Sequence, residues 1–534
     1  MSKLSIETEA LIQKYQNWHE YSKEKEINTI HVDEIASRVA SFYEKIRGII
    51  DWKEEHLLKR AAAERALKRR IYPQINPVNG SLENFSIESE TLVLELIRGG
   101  HFPNDKIPYI KIKEVEKALE KYVFILNNIP SKTKKSKIQI YNWLSCLAAC
   151  EIEQILTPSL KQKGLIDYMF SIMKKRVVLQ EGIVKIKPIK EEEKNIQIYI
   201  AIQRALFKLD DPIIGYHLFK YKYGNWDKEN LAKNIYSIEE EIEKTLNHKL
   251  KDSFYQICQK YNTPFLLISD ILDENPEKIK EIFFNSEILE INLKKHYDKR
   301  LKTLRKRTSR AAFYATVSIF LSNVIALIAI EQPVTRLMKI NFPLIAIIID
   351  ILVPTFLMAF LVITIKSPPK GNLEKVIMES MKIINDSKNI PVYEIKTNIK
   401  RGLVLNIIIN FLYTLFFSAF LGLIIFGLYI IKFPPLSYII FIIFLSLIAF
   451  AGMKIRKNSQ ELHMIEEKDN ALFLLIDPFA VPIIQLGKWL TNRWKKYNII
   501  SIVFSALIDM PFLSFVRFLE QWRYFLKEKK DKIY

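Results

Sequence analysis

Hydrophobic and polar positions are distributed differently on the two sides of residue 310. Before it, apolar residues recur every three or four positions among charged ones, the period of helices with one buried face. After it come unbroken apolar runs. Ala311 to Ile330 reads AAFYATVSIFLSNVIALIAI, about 20 residues without a charge, which at 1.5 Å per residue matches the roughly 30 Å of a bilayer's hydrocarbon layer. Phe342 to Ile365 repeats the pattern, interrupted by Asp350, Pro343 and Pro354. Runs at 405–431 and 436–453 complete a predicted four-span transmembrane region, 311–453. Small residues at Ser418 and Gly422, and at Ser446 and Gly452, would let such helices approach closely.

The predicted fold class is mostly α, with a large helical domain ahead of the spans. Ile35, Val39, Phe42, Ile46 and Ile49 mark an amphipathic helix that continues to Arg70 within an N-terminal region, 1–72. A segment rich in Pro, Asn and Ser, 73–86, reads as a linker. Helical periods then recur through 87–300, with one small β-hairpin expected between Arg176 and Ile189, where VVLQEGIVKIKPI sets two β-branched runs about Glu-Gly. The basic stretch KRAAAERALKRR is expected to form a solvated face. Asp210-Asp211-Pro212 should end one helix and start the next, and Tyr216 to Trp226 should be a core element with snorkelling lysines.

The tail, 454–534, holds two related units, LFLLIDPFAVPIIQLGKW and IISIVFSALIDMPFLSFV. Asp477 with Pro478, and Asp509 with Pro511, suit a helix cap and first turn, so each unit reads as helix, break, helix. Amphipathic helices that are interfacial or re-entrant on the cytosolic face are expected, with Trp489, Trp494 and Trp522 at headgroup level.

Charge gives this arrangement an orientation. Of the chain's formal net charge of +20, a dense part precedes the first run: Lys294, Lys295, Lys299, Arg300, Lys302, Arg305, Lys306, Arg307 and Arg310 against Asp298 alone. Cations so close to a span, including the juxtamembrane segment 301–310, remain cytoplasmic and contact anionic headgroups of the inner leaflet. The opposite connections carry only Arg336, Lys339 and Lys432. Both termini are therefore expected in the cytoplasm. The first thirty residues lack the apolar core of a signal peptide, and richness in Lys, Ile and Asn is compatible with a bacterial inner membrane. Cys146, Cys150 and Cys258 form no paired framework.

Candidate chemistry is sparse. No phosphate-binding, dinucleotide, zinc-protease or nucleophile-elbow spacing occurs, so no catalytic, cofactor or metal residue is assigned. The sharpest feature is intramembrane: with the first span rising and the second descending, Asn323 and Asp350 fall at one depth, about 11–12 Å below the outer boundary. They form a candidate polar pair, with Pro354 freeing a carbonyl nearby and Glu331 at the outer edge. The leading expectation is a membrane-anchored scaffold or assembly factor, its partners being lipids, a cytosolic protein and further copies of itself, with nucleic acid disfavoured. The alternative is a channel or transporter with Asp350 as its ionisable site. A lipid-modifying enzyme using Asp477 or Asp509 ranks third.

Overall fold

A computed structural model describes residues 4–23, 28–32, 55–76, 80, 82, 85–130, 134–179, 190–274, 276–363, 368–385, 392–395, 403–465, 471–497 and scattered positions from 515 to 530. The described residues are helical almost throughout. The first core is built by α2 (Glu55–Ile71), α3 (Ser89–Arg98), α4 (Ile110–Asn127) and α5 (Lys134–Leu156), joined by α8 (Asp211–Tyr223) and α9 (Lys228–Leu246). The second gathers α1 (Ile6–Lys23), α6 (Leu160–Arg176), α10 (Lys251–Lys260), α11 (Asn262–Glu274), α12 (Ile279–Phe284) and the start of α13 (Ser286–Ala326). Helix α7 (Glu191–Phe207) lies between them, giving Ile200 to one and Ile198 and Ile202 to the other.

Local chemistry accounts for many of the boundaries. Asp227 accepts from Asn230 N–H at 2.8 Å to start α9, and Asn285 accepts from Glu287 and Ile288 N–H to start α13. Asp210 caps α8 through Ile213 N–H, with Pro212 in the first turn, as its spacing predicts. Tyr216, Leu218, Phe219 and Tyr223 of α8 are buried, so the aromatic run is core.

Several expectations need correction. The N-terminal region is not one unit, because α1 belongs to the second core and α2 to the first; the seam from Ile35 to Ile49 lies outside the described residues. The expected linker is packed: Leu82 and Phe85 are buried, and Asn127 receives Phe85 N–H and donates to its carbonyl. Two prolines stop a helix there without removing the apolar side chains that hold the segment down. The basic face of α2 is ion-paired. Arg60 bridges Glu64 at 2.6 Å and Asp210 at 2.8 Å, while Arg69 and Arg70 share Glu95. Ala62, Ala63, Ala66 and Leu67 are small enough to bring these cations against neighbouring helices.

Of the segment expected as a hairpin, Val177–Leu179 forms a long-range pair. Strand β1 (Val177–Leu179) runs parallel to β2 (Tyr393–Ile395), with Val177 opposite Tyr393, and parallel strands cannot be joined by a tight turn. Residues 180–189 lie outside the described residues.

Beyond the second core, α13 continues without a break into the first apolar run and through a π turn (Leu327–Glu331) into α14 (Gln332–Leu337). Helices α15 (Leu344–Ile363), α17 (Leu403–Ile430) and α18 (Pro435–Ser459) follow the other three runs. These four helices are long and apolar enough to cross a membrane. They present large apolar side chains outward, among them Phe313, Phe356, Phe411, Phe426 and Ile439, an exposure that water disfavours and lipid accepts.

Between α15 and α17 the chain returns to the helical domain. Helix α16 (Asn372–Ile384) and β2 bury Val376, Ile383, Ile384 and Ile395 in the second core, joined by Leu462 and Met464 from beyond α18. That core therefore extends past the expected limit at residue 300. Asn372 is the joint: its amide donates to Tyr297 Oη and Leu462 O, both at 2.9 Å, and its oxygen accepts from Met464 and Ile465 N–H. The amide uses its whole hydrogen-bonding capacity between three segments remote in sequence.

The tail is also corrected. The break expected at Asp477 and Pro478 is absent, since α19 (Ala471–Tyr497) runs through it as one helix; a proline within a helix forfeits only one backbone bond. Helix α19 lies against α17 and α18, with Tyr413 Oη donating to Gln485 Oε1 at 3.0 Å and Gly487 facing the Ser446 carbonyl. Asp509 and Pro511 lie outside the described residues. Farther on, Phe518, Trp522 and Phe525 are exposed and stack in sequence.

Candidate functional site

Three of the apolar helices meet at a buried polar cluster. Proline 333 lacks an N–H and its ring crowds the preceding turn, and the π turn that widens the helix lies immediately before it. The extra residue turns Glu331 inward, where it is fully buried. Glu331 accepts a hydrogen bond from Ser437 of α18, and its carboxyl lies within hydrogen-bonding reach of the Asp350 carboxyl on α15. Thr335 donates to the Glu331 and Gln332 carbonyls at 2.9 and 3.0 Å, closing the turn. Glu331, expected at the outer edge, is thus packed among the helices, and the π turn turns it there.

Asn323 and Asp350 are together, bonded in a way that spacing could not specify. The Asn323 amide donates to the backbone carbonyl of Asp350 at 3.4 Å. That carbonyl is the one Pro354, four residues on, cannot satisfy, so Asn323 completes a bond the helix lacks. The Asp350 carboxyl is left for Glu331. Asn323, Glu331, Asp350 and Ser437 are all buried. The arrangement ties three helices.

The expected lipid-facing cations divide into two groups. Arg300 is held by Asp270 in a two-pronged bridge at 2.5 and 2.8 Å, and Lys295 reaches Glu274 at 2.7 Å, so these two pin α13 to α11. Arg305 is engaged within the protein, and Arg307 lies 3.8 Å from Glu461. Lys294, Lys299, Lys306 and Arg310 are exposed around the helix where its apolar run begins.

A second feature escaped the sequence entirely. A cleft of about 910 Å³ opens between the two cores, walled by α5, α6, α7 and α8. His217 spans its floor: Nδ1 donates to Gln203 Oε1 of α7 and Nε2 accepts from Gln154 Nε2 of α5, each at 2.5 Å. With both nitrogens occupied, the imidazole is a strut that ties α8 to α5 and α7 and not a free base. No protein-family model matches the chain, and neither a curated protein nor a solved structure does so. The geometry alone carries the reading that follows.

Two half-buried groups, His217 in the cleft and Glu153 on α5, titrate in opposite senses. Burial, reinforced by Lys220 and Lys163, pushes His217 from 6.5 down to about 4, whereas burial pushes Glu153 from 4.5 up to about 7 against the pull of Lys59 and Arg60. Below pH 6.5 the unfolded chain takes a proton at His217 that the folded chain refuses, so stability drops until about pH 4. Above pH 4.5 the unfolded chain releases a proton that folded Glu153 keeps, so stability drops until about pH 7. Between pH 4.5 and pH 6.5 these two contributions nearly cancel. Glu153→Gln should expose the histidine slope, a loss of about 3 kcal/mol from pH 6.5 to pH 4. Hydrogen exchange in α5 and α8 measures it, and a flat profile in the variant refutes the assignment.

Proposed function

We propose that the chain is a membrane-anchored platform: its four apolar helices span a bilayer and hold the two-core helical domain, without a flexible tether, against the cytosolic face. The observation that carries this reading is the shared second core. The first apolar helix is an unbroken extension of the domain, and the segments after the second and fourth apolar helices are packed into the same core through Asn372. A domain held at three points keeps a fixed orientation to the lipid, which suits a scaffold or assembly factor. The exposed Lys294, Lys299, Lys306 and Arg310 would then meet anionic headgroups, each contributing about 1 kcal/mol.

The burial of Glu331 and Asp350 supports a structural carboxyl pair over a conducting one, since an ion path needs water to reach its site. Proteoliposomes bearing the parent should pass protons and monovalent cations no faster than empty vesicles, and Asp350→Asn should change nothing in that assay. Proximity labelling from the helical domain should return a reproducible set of soluble proteins. A flux that Asp350→Asn abolishes would replace the platform with a transporter.

A further inference from the structure

The cleft between the two cores has the makings of a ligand site that the platform reading does not use. Its volume, about 910 Å³, falls in the range of small-molecule pockets of roughly 300–1,000 Å³ and is too small for a folded partner. Its walls are apolar where α6, α7 and α8 face one another, through Ile166, Phe170, Ile196 and Leu218, with Leu160 and Tyr221 exposed at the rim.

Its charges are unbalanced in a specific way. Three wall acids are neutralised by lysines: Glu114 by Lys111 at 2.8 Å, Glu151 by Lys121 at 2.7 Å and Asp167 by Lys14 at 3.0 Å. Among the described residues, Lys163, Lys174 and Lys220 have no acid partner and face only the unpaired Glu192. Lys163 on α6 and Lys220 on α8 stand exposed on two walls of the cleft that His217 also lines. Tyr216, only 1% exposed, lies beneath Lys220, whose ammonium stands 5.8 Å from the centre of its ring. At the other end, Leu209 adjoins Lys208, which bridges at 2.9 Å to Glu461 just beyond the fourth apolar helix.

From this chemistry we infer that the cleft binds a single-chain anionic amphiphile, an acyl chain lying on the apolar walls with its carboxylate between Lys163 and Lys220. The inference does not rest on the platform reading, because the cleft is a property of the helical domain alone.

Photolabelling of the full-length protein in native membranes with a diazirine-bearing palmitate tests it. Crosslinked peptides should map to α6, α7 and α8, in addition to any on the apolar helices. Excess palmitate should suppress the cleft label and methyl palmitate should not. The double variant Lys163→Ala/Lys220→Ala removes only exposed charges, so the fold should persist while cleft labelling falls about five- to tenfold. Ile196→Trp, which fills the cleft and leaves the lysines intact, should abolish it. Label confined to the apolar helices overturns the proposal. So do equal competition by methyl palmitate, undiminished labelling in the double variant, or a cleft that ignores palmitate and takes an acidic amphipathic peptide.

Discussion

Arg176→Ala is expected to destabilise the joint between the helical domain and the segment linking the second and third apolar helices by about 3–5 kcal/mol. Arg176 ends α6, and its Nη1 donates to Glu379 Oε1 of α16 at 2.7 Å and to Tyr393 Oη of β2 at 3.0 Å. Tyr393 in turn donates to the same Glu379 oxygen at 2.7 Å and stacks on Tyr261. Arg176 and Glu379 are both buried, so deleting the guanidinium strands a carboxylate away from water. The pair as a whole contributes far less than its disruption costs. Arg176→Met with Glu379→Leu should therefore recover most of the loss, while each single change remains damaging. Thermal unfolding in mild detergent reads the cycle; a double variant no better than the worse single one would show that the pair stabilises by itself.

Gly487→Ala should separate α19 from α18, and Gly422→Ala should not affect assembly. The two glycines look alike in sequence, each in an apolar run. A Cβ at 487 would collide with the Ser446 carbonyl, and backbone cannot swing aside as a side chain can, so the expected loss is about 1–3 kcal/mol or more. A Cβ at 422 meets nothing within 4 Å, and alanine is the better helix former. Disulfide trapping between cysteines introduced at Tyr413 of α17 and Gln485 reads whether α19 stays seated in the bundle, since α19 packs on α17 and α18 together. Trapping should fall sharply with Gly487→Ala and stay at the parental level with Gly422→Ala. Equal trapping in both would mean that α19 does not pack as described.

These two sites show why the membrane half was legible in outline and not in assembly. Ser446 and Gly452 do lie at close approaches, with Leu361 against Gly452, but Gly422 faces open space and Gly487 carries the tightest contact. Small residues advertise that an approach is allowed without saying from which neighbour. The polar pair behaves likewise. Depth along two antiparallel helices is set by a fixed rise per residue, so Asn323 and Asp350 could be matched by counting. Glu331 could not, because one extra residue in a π turn changes the phase of everything after it. Pro333 is the signal that would have pointed there, had it been read as lying within a helix and not in a loop.

Periodicity and run length by themselves determined the mostly helical class, the four apolar helices and the caps at Asp210 and the core role of the Tyr216 run, since each depends on neighbours within a turn or two. Tertiary structure alone decided that β1 pairs with β2 across more than 200 residues of chain, that Asn372 joins three segments, and that Arg60 and Arg176 are buried counter-ions. It also decided that a cleft lies between the cores. Local spacing fixes which face of a helix seeks cover, whereas what covers it depends on chain closure over long distances, and that is not written in any one stretch.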